Sequence, residues 1–179
     1  MKGGFTLIEL IIYIALAALI LNLGVYSLWQ IMEAKAKSLA CQEVQQNLRF
    51  ILEKISFEAR QAKSVEIPEK QGEESKELLL KMTDGSTIRF YLEKEKLILD
   101  RRNPVGVSVF PLTSEKVRIT ELIFKNLSPS LTRPETFQIK MKVSRVNPLK
   151  RIEYQAEIST QKTINLRDNP TPNLIGIIP

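Results

Sequence analysis

The feature that most constrains this chain is an unbroken apolar run at its N-terminus. Residues 5–29 fill 25 positions and hold one charged side chain, Glu9. A run of 18 or more apolar residues is long enough to cross a bilayer as a helix. Only Gly24 weakens that helix, by about 1 kcal/mol relative to alanine. The pattern therefore predicts a membrane-spanning helix over residues 5–29, preceded by only four residues.

Two common kinds of apolar N-terminal segment each leave part of this pattern unexplained. A secretory signal peptide would use Phe5–Ile14 as its apolar core and Ala15-Leu16-Ala17 as its cleavage site. The chain stays apolar after Ala17, however, and Glu9 would lie inside the core. A plain membrane anchor accounts for the hydrophobicity but gives Glu9 no role. From the residues alone, both interpretations remain open.

Glu9 calls for a partner, because an acid at membrane depth costs about 2.5–3.5 kcal/mol on insertion scales. It follows Phe5 by four residues, which is one helical turn. A cut between Gly4 and Phe5 would create an α-amino group on the same face of that turn. The amine would neutralise Glu9 within one chain or between two staggered chains, where their attraction is poorly screened.

The N-terminal residues resemble the signature of type IV prepilins and type II secretion pseudopilins. The resemblance rests on the following apolar span and on the stretch Lys2-Gly3-Gly4-Phe5-Thr6-Leu7-Ile8-Glu9-Leu10. In that family a prepilin peptidase removes a basic leader that ends in glycine, and the new N-terminal phenylalanine is N-methylated. The resemblance implies a leader at residues 1–4, cleavage between Gly4 and Phe5, methylation of Phe5, and filament assembly directed by Glu9.

The resemblance also implies a location and partners. Charge alone does not orient the span, because Lys2 and the initial amine compete with Lys35 and Lys37 across it. The family has its leader in the cytoplasm and its body outside. The chain would thus be a single-pass protein of the cytoplasmic (inner) membrane before it enters a pilus or pseudopilus. Its partners would be other pilin subunits, the prepilin peptidase, the membrane, and the inner-membrane assembly machinery with its ATPase.

Helix signals continue beyond the apolar run as far as Lys63. A single apolar stripe recurs at spacings of three and four residues, at Cys41, Val44, Leu48, Ile51, Ile55, Ala59 and Ala62. Charged residues, Glu58 among them, fall largely off that stripe. We therefore predict one helix over residues 5–63, with a transmembrane first half and an amphipathic second half. Cys41 on the stripe is interpreted as a small buried hydrophobe.

The remainder of the chain, residues 64–179, contains all nine prolines and is predicted to form a β-rich head. Strand patterns cover Leu78–Met82, Thr87–Glu93, Lys96–Arg102, Val117–Phe124, Thr136–Val143 and Ile152–Ile164. Asp84-Gly85 and Lys94-Glu95 are predicted as tight hairpin turns. Residues 66–77 are predicted as a surface loop and residues 165–179 as an irregular tail. The fold class is α+β, with one long helix packed on an antiparallel sheet.

The head layout resembles the larger minor pseudopilins, of the J kind in secretion systems, and their counterparts in type IV pili. This similarity rests on Arg60-Gln61-Ala62, on Ser86–Leu92 and on Leu112–Phe124. It implies a structural subunit at or near the tip of a filament. Secretion, adhesion, motility and uptake systems stay undistinguished.

Charge and composition bear on the remaining function classes. Residues 101–179 carry 13 basic and 6 acidic side chains, whereas residues 1–100 are almost neutral. A candidate basic patch for an acidic partner, including DNA, comprises Lys140, Lys142, Arg145, Lys150 and Arg151. The alternative, which we favour, is the solvated outer face of a sheet. With no histidine and one cysteine, the chain is predicted to be neither an enzyme nor a metal or cofactor protein.

Overall fold

The computed structural model describes residues 6–128, 135–149 and 151–166. Within these ranges a long helix, α1 (Leu7–Gln61), precedes nine strands, and a short 3-10 helix lies at Ile152–Tyr154. The strands are β1 Ala62–Ile67, β2 Glu74–Ser75, β3 Leu78–Met82, β4 Thr87–Glu93, β5 Lys96–Asn103, β6 Gly106–Pro111, β7 Val117–Asn126, β8 Thr136–Arg145 and β9 Glu157–Asn165. The predicted leader and all but the first two residues of the predicted tail lie outside the described residues.

Helix α1 has 55 residues, which at 1.5 Å each make it roughly 82 Å long. Its second half packs on the strands through the predicted stripe, since Val44, Leu48, Ile51, Ile55 and Ala59 are buried. Cys41 is half-buried against the same core. The first half extends beyond the head. This agrees with the sequence pattern, in which the N-terminal half of the helix is apolar and only the C-terminal half is amphipathic.

The helix ends two residues before the predicted boundary at Lys63. Ala62 already has extended backbone angles, φ −71° and ψ 147°. It opens β1, where it pairs with Met82 of β3. Ala62 is therefore buried as part of a strand and not as the last member of the helical stripe. A pairing partner twenty residues away overrides the local helix pattern.

The head contains two antiparallel sheets, where the sequence predicts one. The five-stranded sheet has the order β1-β3-β4-β5-β6, and the four-stranded sheet has the order β2-β7-β8-β9. Both contribute to a single core against α1. The α+β class and the packing of a long helix on antiparallel strands are thus confirmed.

Several predicted boundaries in the head are wrong. Residues 66–77 were expected to be loop, yet they contain the end of β1 and the short strand β2, which pairs with β7. Strand β6 has no counterpart in the prediction. The expected strand over residues 152–164 is divided into the 3-10 helix and β9. The predicted hairpins β3–β4 and β4–β5 are confirmed, with Gly85 at φ +83° and with Lys94 and Glu95 at φ +47° and +63°.

Candidate functional site

The first half of α1 presents an apolar surface that no described part of the head covers. All eighteen large apolar side chains between residues 7 and 32 are more than half exposed. The segment lies in the one helix, among the described residues, that is long and apolar enough to span a membrane. So much exposed apolar surface is rare on a soluble monomer and marks a membrane or protein contact.

Glu9 lies in the first turn of this apolar half. Its backbone N–H donates to the Thr6 carbonyl at 3.1 Å, and the carboxylate is partly screened by neighbouring side chains. The Tyr13 hydroxyl donates to Glu9 Oε1 at 3.3 Å. A carboxylate in the first turn is also favoured by the helix dipole. Gly4 and Phe5 lie outside the described residues.

Tyr13 is a contact that the sequence reasoning missed. Its spacing of four residues from Glu9 places both side chains on one face of α1, so the signal was present. The phenol supplies a hydrogen-bond donor to the one acid of the apolar run. Among the described residues, Glu9 thus has a neutral side-chain donor within its own helix and no ion pair to balance a negative charge.

Two further polar side chains of the apolar half, Asn22 and Ser27, bond within the helix. Asn22 Nδ2 donates to the Ala18 carbonyl at 2.7 Å, and Ser27 Oγ donates to the Leu23 carbonyl at 2.9 Å. Such bonds to the carbonyl four residues earlier let a polar side chain enter an apolar environment. Glu9 is the exception, because a hydrogen bond does not neutralise its charge.

The second half of α1 is held to the five-stranded sheet by a buried ion pair. Glu58 is 1% exposed, which corrects the prediction that it lies off the buried face. Its carboxylate lies 2.7 Å from Lys54 Nζ and 2.7 Å from Arg101 Nη2 on β5. A buried carboxylate needs such partners. The pair adds a polar link to the apolar packing of the head on the helix that carries the exposed apolar surface.

The candidate basic patch is not one cationic surface in the described residues. Lys140 lies 2.9 Å from a Glu121 carboxylate oxygen. Lys142 lies 2.6 Å from Glu157, which raises the pKa of the lysine above its ordinary value through a hydrogen bond and its charge. These ion pairs run across the outer face of the four-stranded sheet. In the described residues this part of the sheet face therefore carries paired charges of both signs.

The other members of that patch lie elsewhere. Arg145 is on the opposite face of β8, because side chains alternate along a strand. Its guanidinium lies 3.5 Å from Glu43 Oε2 on α1 and 5.0 Å from the centre of the Tyr154 ring. The Arg151 backbone bonds to the Asn147 side chain at the loop after β8. Lys150 lies outside the described residues.

No protein-family model, no curated protein and no solved structure matches this chain. Among the described residues, no group of three or more Cys, Asp and Glu side chains is arranged to hold a metal ion. The features of this chain that bear on its function are therefore the geometry of α1, Glu9 and the N-terminal motif of the sequence.

Proposed function

We propose that this protein is a minor pilin or pseudopilin, a non-enzymatic structural subunit of a type IV pilus or type II secretion pseudopilus. Before assembly it is a single-pass protein of the cytoplasmic membrane, with its head on the outer side. The prepilin peptidase cuts it between Gly4 and Phe5, and Phe5 is then N-methylated. The processed subunit enters the filament through its N-terminal helix.

The observation that carries this proposal is the division of α1 into two halves of different surroundings. Residues 7–32 expose large apolar side chains on every face of the helix. The following half buries its stripe in the head. A plain anchor needs no continuous helix between the membrane and the head, because a flexible link would hold the head there as well. A continuous rigid helix instead fixes the orientation of the head relative to the membrane-spanning segment. In a filament the same apolar surface packs against the helices of neighbouring subunits.

Glu9 gives this packing a direction. It is the one charged residue of the apolar run, and its hydrogen-bond donor within the helix, Tyr13, is neutral. A new α-amino group at Phe5 of a neighbouring subunit would balance the charge at membrane depth. The pairing favours one axial offset between adjacent helices, and so guides each subunit into register. The assembly machinery supplies the work.

The head belongs at or near the filament tip in this proposal. It has two sheets, and its outer face on the four-stranded sheet carries the ion pairs of Lys140 and Lys142. Other minor subunits are its partners there. The pairing of these lysines with acids offers no support for the DNA-binding alternative, so a structural role in assembly is preferred.

The mass of the mature N-terminal peptide tests the processing step. Protein purified from cells that contain a prepilin peptidase is expected to begin at Phe5 and to carry one extra methyl group. A chain that begins at Met1 in those cells would contradict the proposal. Assembly is tested separately by Glu9→Gln, which should be cut normally yet fail to enter filaments. Glu33→Gln, an exposed acid on the same helix beyond the apolar run, is the matched control.

A further inference from the structure

Strand β6 is an exposed edge without the charges that usually protect one. It ends the five-stranded sheet, and all six of its residues are exposed. Val107, Val109 and Phe110 are 64%, 54% and 55% exposed, and Val105 in the preceding turn is 98% exposed. Natural edge strands are commonly blocked by charged side chains, especially lysine. Charges are present on β1, β2 and β9, but β6 has none.

The pairing with β5 shows which backbone groups of β6 face the open side. The Leu112 N–H donates to the Leu97 carbonyl, so this residue pair is hydrogen-bonded. In an antiparallel ladder such pairs alternate with pairs that are not hydrogen-bonded. The register then directs the N–H and C=O groups of Val107 and Val109 away from β5. Among the described residues no strand pairs with this side, so β6 offers two N–H donors and two C=O acceptors to an added strand.

The lack of charged side chains on β6 determines what kind of strand it accepts. An uncharged edge rich in valine favours an uncharged aliphatic partner, because a charged side chain would be desolvated there without a counter-ion. The chain contains such a segment outside the described residues, Asn173-Leu174-Ile175-Gly176-Ile177-Ile178. It has the same length as β6, carries no charge and is followed by a proline.

We infer that β6 binds residues 173–178 of a second copy of this chain as an added β-strand. The described residues end at Leu166, whose N–H donates to the Glu135 carbonyl, and the Glu135 carboxylate accepts the Val65 N–H of β1. Leu166, the last described residue, therefore lies near β1, the edge opposite β6. Four strand spacings, about 19 Å, separate the two edges.

This geometry favours a neighbouring copy over the segment's own head. Seven residue steps join Leu166 to Asn173 and span at most about 23–25 Å when fully extended. A strand added beyond β6 lies one further spacing away, about 24 Å from β1 in a straight line, which leaves almost no length to pass around the sheet. Two heads placed side by side in the same orientation bring the exit of one chain next to β6 of the other. That shared orientation rests on the proposed membrane anchoring, whereas the strand contact itself does not. The contact joins two different surfaces, β6 of one copy and the C-terminal segment of the next. It therefore repeats along a row of subunits.

A labelled peptide of residues 171–179 tests the contact directly on the full-length protein in detergent micelles. We expect saturable binding above that to empty micelles. Val107→Pro removes an outward N–H without taking a hydrogen bond from β5, and it should weaken binding at least tenfold, as should Val109→Lys. Gln161→Pro is the matched control. The alternation of hydrogen-bonded pairs between β8 and β9 directs the Gln161 N–H to the open side of β9, so this proline also removes only an outward N–H. Equal binding by wild type and by the Val107→Pro and Val109→Lys variants would overturn the inference.

Disulfide trapping identifies which copies meet. In a Cys41→Ser background, Val109→Cys and Ile175→Cys proteins of different tag size are mixed and oxidised. The inference expects a disulfide-linked heterodimer. A Val109→Cys homodimer without the heterodimer would indicate edge-to-edge pairing of β6, and a fast-migrating monomer of the double variant alone would indicate pairing within one chain. Either result would overturn it. Because neither assay depends on peptidase cleavage, failure here leaves the proposed filament function standing, and the reverse also holds.

Discussion

Arg101 on β5 and Glu58 on α1 form the link between the five-stranded sheet and the long helix. Their side chains meet at 2.7 Å, 43 residues apart in the sequence. Glu58 is almost fully buried, whereas Arg101 and the second cation, Lys54, are each more than a third exposed. This charge pair therefore joins the helix to the five-stranded sheet beside the apolar stripe, while Glu43 makes further ion pairs with Lys116 and Arg145.

Arg101→Ala tests the weight of this link. Breaking a buried pair costs about 3–5 kcal/mol, but Lys54 remains and Arg101 is partly solvated. We therefore expect the free energy of unfolding to fall by about 1–2 kcal/mol, measured by urea denaturation in detergent. Arg49→Ala, which removes an exposed pair with Glu53 on the same helix, should cost less than about 0.5 kcal/mol. Equal losses for the two variants would contradict this role.

Ile55→Ala tests the apolar part of the contact. Ile55 is fully buried in the centre of the stripe. Truncating it removes packed methyl groups and leaves a cavity, so unfolding should become easier by about 2–5 kcal/mol. Phe50→Ala, on the exposed side of the same helix, should change the free energy of unfolding by less than about 1 kcal/mol. A larger effect of Phe50 in the monomer would mean that the buried face is wrongly assigned.

The sequence predicted these elements unequally, for a physical reason. The stripe from Val44 to Ala59 and the hairpins around Asp84 and Lys94 depend on local spacing and turn chemistry, and they are confirmed. The burial of Glu58 depends on Arg101, which no local pattern connects to it. Strand β1 forms because Ala62 pairs with Met82 of β3, and two bulges interrupt the alternation of its side chains. Strand β6 is exposed on both faces, so it lacks the alternation by which strands are recognised.

The residues of the candidate site were also predicted unequally from the sequence. Glu9 stands out in the sequence because it is a single charge in an apolar run. Tyr13 was detectable from its spacing and was missed. The pairing of Lys140 with Glu121 and of Lys142 with Glu157 requires knowledge of strand register, which the sequence alone does not provide.

The turn at Lys94-Glu95 offers a stabilising change. Both residues have positive φ, a conformation that costs ordinary L-residues about 1–2 kcal/mol and that asparagine and glycine accept readily. Replacing the pair by Asn-Gly should raise the free energy of unfolding by about 1 kcal/mol. The loss of the Arg118–Glu95 contact at 4.0 Å is minor because both groups are exposed. An unchanged or lower melting temperature would contradict this expectation.

Tyr13→Phe separates the hydrogen bond at Glu9 from its charge. The hydroxyl contact of 3.3 Å is long, so its loss should cost about 0.5 kcal/mol and lower filament incorporation roughly twofold. Glu9→Gln removes the charge itself and should lower incorporation at least about tenfold. The measurement is the ratio of subunit in sheared filaments to subunit in membranes. Equal defects would indicate that the hydrogen bond, and not the charge, guides assembly.

Acid should weaken the head through the turn at Asp84. Hydrogen bonds from the Ser86 hydroxyl at 2.6 Å and the Ser86 N–H at 2.8 Å hold the pKa of Asp84 below its ordinary value. A lowered pKa in the folded state means that the stabilisation is present above the unfolded pKa, near 4, and disappears as the pH falls through the folded value. The melting temperature should therefore fall below about pH 4.

Asp84→Asn should reduce this acid-induced fall, because the amide has no proton to gain, while it lowers stability at neutral pH. Glu93→Gln, an exposed position at the end of β4 in the same hairpin, is the control and should leave the low-pH limb unchanged. Melting temperatures between pH 2 and pH 7 for the three proteins make the comparison. An identical low-pH fall in wild type and Asp84→Asn would mean that other carboxylates carry the acid sensitivity of the head.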